Sequence, residues 1–272
     1  MEVHVTDFDY TALRTHLGAA ASRFDVDCLA VCASTSSELM QRAEAGAPSG
    51  SVVVAERQTA GRGRRGRVWL APEGGSLAFS LLWRLAPDAK PPLGLSLAVG
   101  VAVARALESL GVAGVRLKWP NDVQIVGRKL AGILVELAPV RGRGLAVVIG
   151  IGLNLSLPAD FPDGPDMRAT DLASALPALP SREAILAALL RQLGDVLPAF
   201  EAGGFPLVRD DWMARHAHQD IPVRLLDDHS APLEGICRGA DTDGALLLET
   251  GAGLQRILAG EVSLRLRETH ES

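Results

Sequence analysis

Between Val115 and Leu155 the chain carries four strand-like apolar runs, Val115–Trp119, Val123–Val126, Leu130–Leu137 and Leu145–Leu155, joined by short turns. One helical stretch precedes them, Leu93 to Leu110, rich in small and apolar residues and stopped by Gly111. Strand after strand behind a single helix predicts an α+β fold, a mixed sheet with helices, and argues against a regular doubly wound sheet. Upstream, Ser51–Glu56 and Leu77–Arg84 read as two further strands. Thr35-Ser36-Ser37-Glu38 has the form of a capping box opening a short helix to about Gly46.

Residues 157–180, rich in Pro, Ala and Asp, read as a long surface loop. Ser181 can cap a helix to about Phe200, and Leu207–His216 form another. After Gln219 the runs shorten to Ile221–Leu226, Leu233–Cys237, Ala245–Glu249, Leu254–Leu258 and Val262–Leu266, separated by Asp-Asp, Asp-Gly and Gly turns. That spacing predicts a small β-barrel of about 50 residues. The boundary falls near 218–220, dividing a domain of residues 1–218 from one of 219–272.

The 27 Lys+Arg against 32 Asp+Glu give a formal charge of −5, which excludes a generally basic nucleic-acid coat but leaves room for a local patch. Three cysteines, Cys28, Cys32 and Cys237, make no disulfide framework and no zinc-site spacing with the histidines. His216 and His218, two apart, do not share a helical face, and all six histidines read as structural or surface residues. The start Met1-Glu2-Val3-His4 turns acidic at Asp7 and Asp9, unlike a secretory signal. The apolar stretch Leu93–Leu107 is broken by Ser96 and Arg105 and is too short for a bilayer. These features predict a soluble, cytoplasmic protein. Only three of the cations are Lys: Lys90, beside Pro91-Pro92 in a loop, and the two motif residues Lys118 and Lys129.

Gly61-Arg62-Gly63-Arg64-Arg65-Gly66-Arg67, followed by Val68 and Trp69, sets four arginines in seven residues with no acidic residue among them. Its glycines let the backbone bend and approach a ligand, and guanidinium groups grip phosphates or carboxylates bidentately. Such a loop suits a polyanionic ligand; the plainer alternative is a solvated, mobile basic loop. It lacks the Gly-Lys-Ser/Thr of a phosphate-binding P-loop and the glycine spacing of a dinucleotide turn. Lys118-Trp119-Pro120-Asn121-Asp122 ends a strand in turn chemistry, and its amide and carboxylate suit a magnesium-bound phosphate or a ribose. Lys129 then precedes a strand in which Gly132 permits close backbone approach, and Gly150-Ile151-Gly152-Leu153-Asn154 presents an amide at a strand end.

Gln58-Thr59-Ala60-Gly61-Arg62-Gly63-Arg64-Arg65-Gly66-Arg67-Val68-Trp69, Lys118 to Asp122, Gly127 to Glu136 and Gly150 to Leu155 resemble, in order, the signature blocks of biotin protein ligases. Arg238-Gly239, Gly244 to Glu249 and Gly260 to Arg265 resemble that family's small C-terminal domain, so the likeness runs from about Ser34 to Arg267. It implies a class II aminoacyl-tRNA synthetase-like (biotin–lipoate ligase-like) catalytic domain plus an SH3-like barrel. It further implies activation of biotin by ATP to biotinyl-5′-AMP, with release of pyrophosphate. Biotin then passes to one lysine of the biotin carboxyl carrier domain of a carboxylase.

By the same resemblance Lys129 and Arg64 are the catalytic cations. Ser34, Thr35, Gln58, Gly61, Arg62, Arg64, Lys129 and Gly132 serve biotin. Arg64, Arg67, Trp69, Lys118, Asn121, Asp122 and Asn154 serve the nucleotide, Trp69 packing on adenine and Asp122 taking magnesium. ATP and Mg²⁺ are the implied co-substrate and metal, biotin the substrate, with no tightly bound organic cofactor. Two departures stand out: Ser34-Thr35-Ser36 where Ser-Thr-Asn is usual, and Ala78 where a larger aromatic can line the pocket. The ~33 residues before Ser34 are too few for a winged helix-turn-helix, so no DNA-binding role and no DNA partner are expected. No membrane partner is expected, and a homodimer is compatible with the sequence. The rival readings are a lipoate or octanoate ligase on the same fold and, from another class, a nucleic-acid-binding module using the arginine loop as an arm.

Overall fold

The computed structural model describes residues 7–86, 91–138, 145–162, 168–227, 231–258 and 262–266. Lys90 and the Gly260-Glu261 pair lie outside the described residues. Seven strands form the first sheet: β1 (Asp25–Cys32), β2 (Ser51–Gln58), β3 (Ser76–Arg84), β4 (Val115–Lys118), β5 (Asp122–Ile125), β6 (Arg128–Ala138) and β7 (Ala146–Asn154). Their spatial order is β1-β2-β3-β7-β6-β5-β4. Only β1 and β2 pair in parallel, across the helix α2 (Thr35–Glu44); every other neighbour is antiparallel, which makes the sheet mixed as expected.

The helix α1 (Tyr10–Leu17) and β1 were not placed from sequence. β1 is an edge strand with one fully buried residue, Cys28, so it lacks the apolar alternation that marks a half-buried strand. The capping box is corrected too. The N-cap is Ser34, not Thr35, and no side chain caps the helix. Thr35 Oγ1 instead contacts Gln58 Oε1 (3.3 Å) and Ser80 Oγ (2.8 Å), while Glu38 pairs with Arg42 one turn on (2.9 Å). Hydroxyls that would close the helix locally are spent on tertiary contacts.

The helix α3 (Leu95–Ser109) buries eleven of its residues between the sheet and α4 (Arg182–Gly203). α4 starts at a capping Ser181, whose Oγ accepts from Ala184 N (3.2 Å), and ends at Gly204 in the left-handed region. Among the described residues no helix is long and apolar enough to cross a membrane. The loop expected at 157–180 holds no helix or strand in its described part, residues 157–162 and 168–180, yet it is stapled down. Asp171 accepts from Leu157 N (2.7 Å) and Ser174 N (2.8 Å); against its burial, those bonds hold the carboxyl below its usual range.

After α5 (Pro206–Arg215) the strands β8 (Pro222–Asp227), β9 (Leu233–Ala240), β10 (Leu246–Thr250), β11 (Gly253–Ile257) and β12 (Val262–Leu266) form an antiparallel sheet ordered β11-β10-β9-β8-β12. Among the described residues β11 and β12 are its two edges and no ladder joins them. This sheet is bolted to the first. Trp119 Nε1 donates to Gly244 O (3.1 Å), and a Cβ on Gly244 would come within 2.7 Å of Gly94 Cα. Ala217 N donates to Leu117 O at the free edge of β4 (2.9 Å), and Asp220 N to Cys237 O in β9 (2.8 Å).

At that seam His216 lies between Trp212, stacked at 4.4 Å, and Cys237, whose Sγ is 3.1 Å from its Nε2. Burial lowers both His216 and His218 to about 4, with Lys118 and His216 adding to the effect on His218. The unfolded rings titrate near 6.5, so the unfolded chain binds more protons between pH 6.5 and 4, and stability drains away as pH falls through that window. We expect a loss of about 2 kcal/mol per ring between pH 7.5 and 5. Denaturant unfolding at the two pH values measures it. A His218→Gln variant should lose about half of the difference; an unchanged difference would remove His218 from the account.

Candidate active site

The register of the first sheet lines up residues that lie far apart in the chain. Ala78 in β3 pairs with Gly152 in β7, Gly152 with Gly132 in β6, Gly132 with Asp122 in β5, and Asp122 with Lys118 in β4. Cross-strand partners share a face, so three small residues form a flat floor that ends in a carboxylate and an ammonium. Trp69 lies on that floor. A Cβ on Gly152 would fall 2.6 Å from its Cζ2 and one on Gly132 3.0 Å from its Cζ3, so both glycines are required by close approach. The row two residues along, Ser80–Gly150–Leu134, faces the same way. Over Gly150 sits Ser36 Oγ, 3.1 Å from the fully buried Ser80 Oγ.

These rows floor a cavity of about 250 Å³. Ser34, Thr35, Gln58, Arg62, Arg64, Arg67, Trp69, Lys118, Asn121, Asp122, Lys129, Gly132 and Asn154, all singled out from sequence, line it. Gly61 does not; it is buried at the neck of the arginine loop, where Trp69 N donates to its carbonyl (2.9 Å). Sequence reasoning missed Ser80, which does not line the cavity but is fully buried behind Thr35 and Ser36; a hydroxyl inside the otherwise apolar run Leu77–Trp83 was the available signal. It also missed Leu264, which the second sheet contributes to the wall and which only the assembled fold can reveal.

Six cations line the described wall, Arg62, Arg64, Arg65, Arg67, Lys118 and Lys129, against one carboxylate, Asp122. Lys129 Nζ is 2.6 Å from Asp122 Oδ1 and 5.6 Å from the centroid of the Trp69 ring, within cation–π range. Its backbone is held from three sides: its N–H by Arg168 O (2.8 Å), and its carbonyl by Thr170 N (2.9 Å) and Asn154 Nδ2 (3.3 Å). Asn154 thus braces the backbone under Lys129. Asn121 Nδ2 donates to Ile133 O (2.9 Å) and its Oδ1 accepts from Arg64 Nη1 (3.2 Å). Burial lowers the Arg64 guanidinium from its usual value; Asp122 opposes this and Arg65 and Arg67 reinforce it. An arginine stays charged regardless, so this is a largely buried cation, and an incoming anion would stabilise it further. The Trp69 indole N–H is buried with no hydrogen-bond partner among the described residues, a donor left over for an acceptor on a ligand.

The described residues hold no group of three or more His, Cys, Asp or Glu that could bind a metal ion. The loop is more ordered than its glycine content suggests. Gly63 N donates to Arg67 O (2.8 Å), Arg62 and Val68 form a bridge, and the tip is a short 3₁₀ turn at Arg64–Gly66.

The pattern of the biotin/lipoate A/B protein ligase family matches residues 29–154, and that of the biotin protein ligase C terminal domain matches residues 219–265. The chain is 40% identical over 220 residues to the bifunctional ligase/repressor BirA of Salmonella typhimurium, covering 81% of this chain and 68% of that one. To the biotin--[acetyl-CoA-carboxylase] ligase of Mycobacterium tuberculosis it is 36% identical over 260 residues, covering 93% and 94%. The structure of a biotin protein ligase from Aquifex aeolicus in complex with biotin and ATP superposes with a TM-score of 0.78 at 32% identity, over 89% of this chain and 99% of that one. Two matched domains, relatives alike over nearly full length and a shared fold lead to one conclusion: this chain belongs to the biotin protein ligase family and is a ligase.

Proposed function

We propose that the protein activates biotin with ATP to biotinyl-5′-AMP, releasing pyrophosphate, and passes the biotinyl group to a lysine of a carboxylase carrier domain. The observation that carries this reading is the charge of the cavity, six cations to one carboxylate among the described residues, above a floor flat enough for a ring. In the first step a biotin carboxylate oxygen forms a bond to the α-phosphorus and the bond to the β-phosphate oxygen breaks. Two anions must meet and a third must leave, so preplaced cations supply most of what the reaction needs. Lys129 and Arg64, approaching the floor from the sheet and from the loop, are the pair we assign to that junction. In the second step a carrier lysine amine attacks the biotinyl carbonyl and AMP departs.

The hydroxyls and amide of Ser34, Thr35, Ser36 and Gln58, with Ser80 buried behind them, give one end of the cavity a compact set of donors and acceptors, suited to the ureido group of biotin. Trp69, Arg67, Lys118 and Asn121 are assigned to the nucleotide. Magnesium typically uses one or two carboxylates plus substrate phosphates. Asp122 fits a metal that arrives with the triphosphate, and the ion would neutralise charge on the leaving pyrophosphate. The two units divide near residue 218, and we read the second sheet as a small SH3-like barrel that completes the wall through Leu264.

ATP–pyrophosphate exchange with biotin, lipoate and octanoate offered separately, each with magnesium, tests the reading. Exchange is expected with biotin alone. Exchange with lipoate or octanoate instead would keep the fold and move the pocket assignment. No exchange with any of the three would overturn adenylation.

A further inference from the structure

We propose that Glu136 is a positioning residue that holds the arginine loop by its neck and thereby sets how long the adenylate is retained. This rests on the activity proposed above, but its structural basis is independent of it.

Residues 61–69 form a closed arch. Trp69 N reaches Gly61 O, Arg62 and Val68 bridge, and Gly63 N reaches Arg67 O. An arch with its own backbone ladder moves as a body about its ends. It is not embedded in the core, since Val68 and Leu70 are 65% and 54% exposed, so its position depends on a few side-chain catches. Two of these lie in the cavity: Arg64 on Asn121, and the Trp69 ring on the glycine floor. A ligand that takes up Arg64 and Trp69 must replace both. A third catch is anchored outside the cavity lining, at Glu136, although its arginine, Arg62, is one of the cations of the wall. Arg62 Nη2 and Nη1 grip Glu136 Oε1 and Oε2 on β6 at 2.6 and 3.2 Å, a bidentate pair that a ligand on the floor need not disturb. Glu136 therefore keeps the arch over the site while its inner contacts change hands.

Glu136→Gln keeps the shape and removes the charge. The pair is partly exposed, so the expected effect is about fivefold rather than orders of magnitude. Two readouts apply. Release of preformed biotinyl-AMP, followed by chase, is expected to quicken about fivefold, while single-turnover adenylate formation stays within about twofold of wild type. Trypsin cleavage after Arg64, Arg65 and Arg67 in the unliganded protein is expected to quicken by a similar factor, and this needs no assumption about substrate. Arg62→Gln should speed cleavage equally, and the double variant no further than either single one. At about 1 M salt the difference between wild type and Glu136→Gln should vanish. Unchanged cleavage and release in Glu136→Gln, additive effects in the double variant, or a difference that survives salt would each overturn the proposal. Should wild type show no biotin-dependent exchange, the functional reading fails while the cleavage series still decides the catch.

Discussion

Lys129→Ala is expected to slow adenylate formation by at least about 10²–10³-fold, the scale seen when one preorganised donor is removed from a site of developing negative charge. Three features of the structure argue for so large an effect. The Lys129 ammonium is held between Asp122 at 2.6 Å and the face of Trp69 at 5.6 Å, so its position is fixed before any ligand arrives. Its Cε and Nζ pass 3.2 and 3.3 Å from where a Gly132 side chain would begin, which places the ammonium directly on the floor. And Lys129 is pinned in β6 by its own backbone groups, through Arg168 O, Thr170 N and the Asn154 side-chain amide, so truncating its side chain is expected to leave the fold intact. The loss should fall on kcat more than on KM, because the cation acts on charge that develops as the phosphate bond breaks. Single-turnover formation of biotinyl-AMP is the measurement. Lys129→Arg separates charge from place: a guanidinium brings the charge but cannot occupy the slot above Gly132, so it should restore little. Near-normal adenylation in the alanine variant would end the assignment of Lys129.

Much of this site was legible in the chain because its chemistry is carried by residue types that are conspicuous here. In a protein of net charge −5, four arginines in seven residues stand out, as do two motif lysines where Lys is rare. The strand runs from Val115 to Leu155 were equally plain, since antiparallel neighbours joined by short turns write their pattern locally. What stayed hidden depends on contacts between distant segments. Thr35 looks like a helix cap because a capping hydroxyl and one turned to tertiary contacts share one local signature; only the meeting of α2 with Ser80 and Gln58 tells them apart. Ala78 reads as a departure where a larger aromatic can line the pocket, and the register makes it the first tile of a floor with Gly152 and Gly132. Whether the loop is ordered is not legible in the chain, because composition reports charge and glycine but not the bridge between Arg62 and Val68. The second sheet's contribution, from Trp119–Gly244 to Leu264, required both sheets to be in place.

That floor leads to a second large effect. Gly152→Ala is expected to weaken biotin and ATP binding by roughly 5- to 150-fold, the range that corresponds to the 1–3 kcal/mol typical of an overpacked site. Gly152 lies in a regular strand with no left-handed requirement, so alanine suits the backbone and the sheet should form normally. The added methyl would meet the indole of Trp69 within 2.6 Å of Cζ2 and 2.7 Å of Nε1, closer than non-bonded atoms approach. The ring must lift, and it carries with it one side of the Lys129 seat and the far end of the arginine arch. Titration calorimetry gives the affinities. The cause is isolated by a double-mutant cycle: once Trp69→Ala has removed the ring, Gly152→Ala has nothing to displace and should cost little more. If Gly152→Ala costs as much in the Trp69→Ala background as alone, the methyl is acting on the ligand directly and the floor serves the substrate rather than the tryptophan. If it costs nothing in either background, the close approach of Trp69 to the sheet has no part in binding, and the aromatic must be sought elsewhere in the cavity wall.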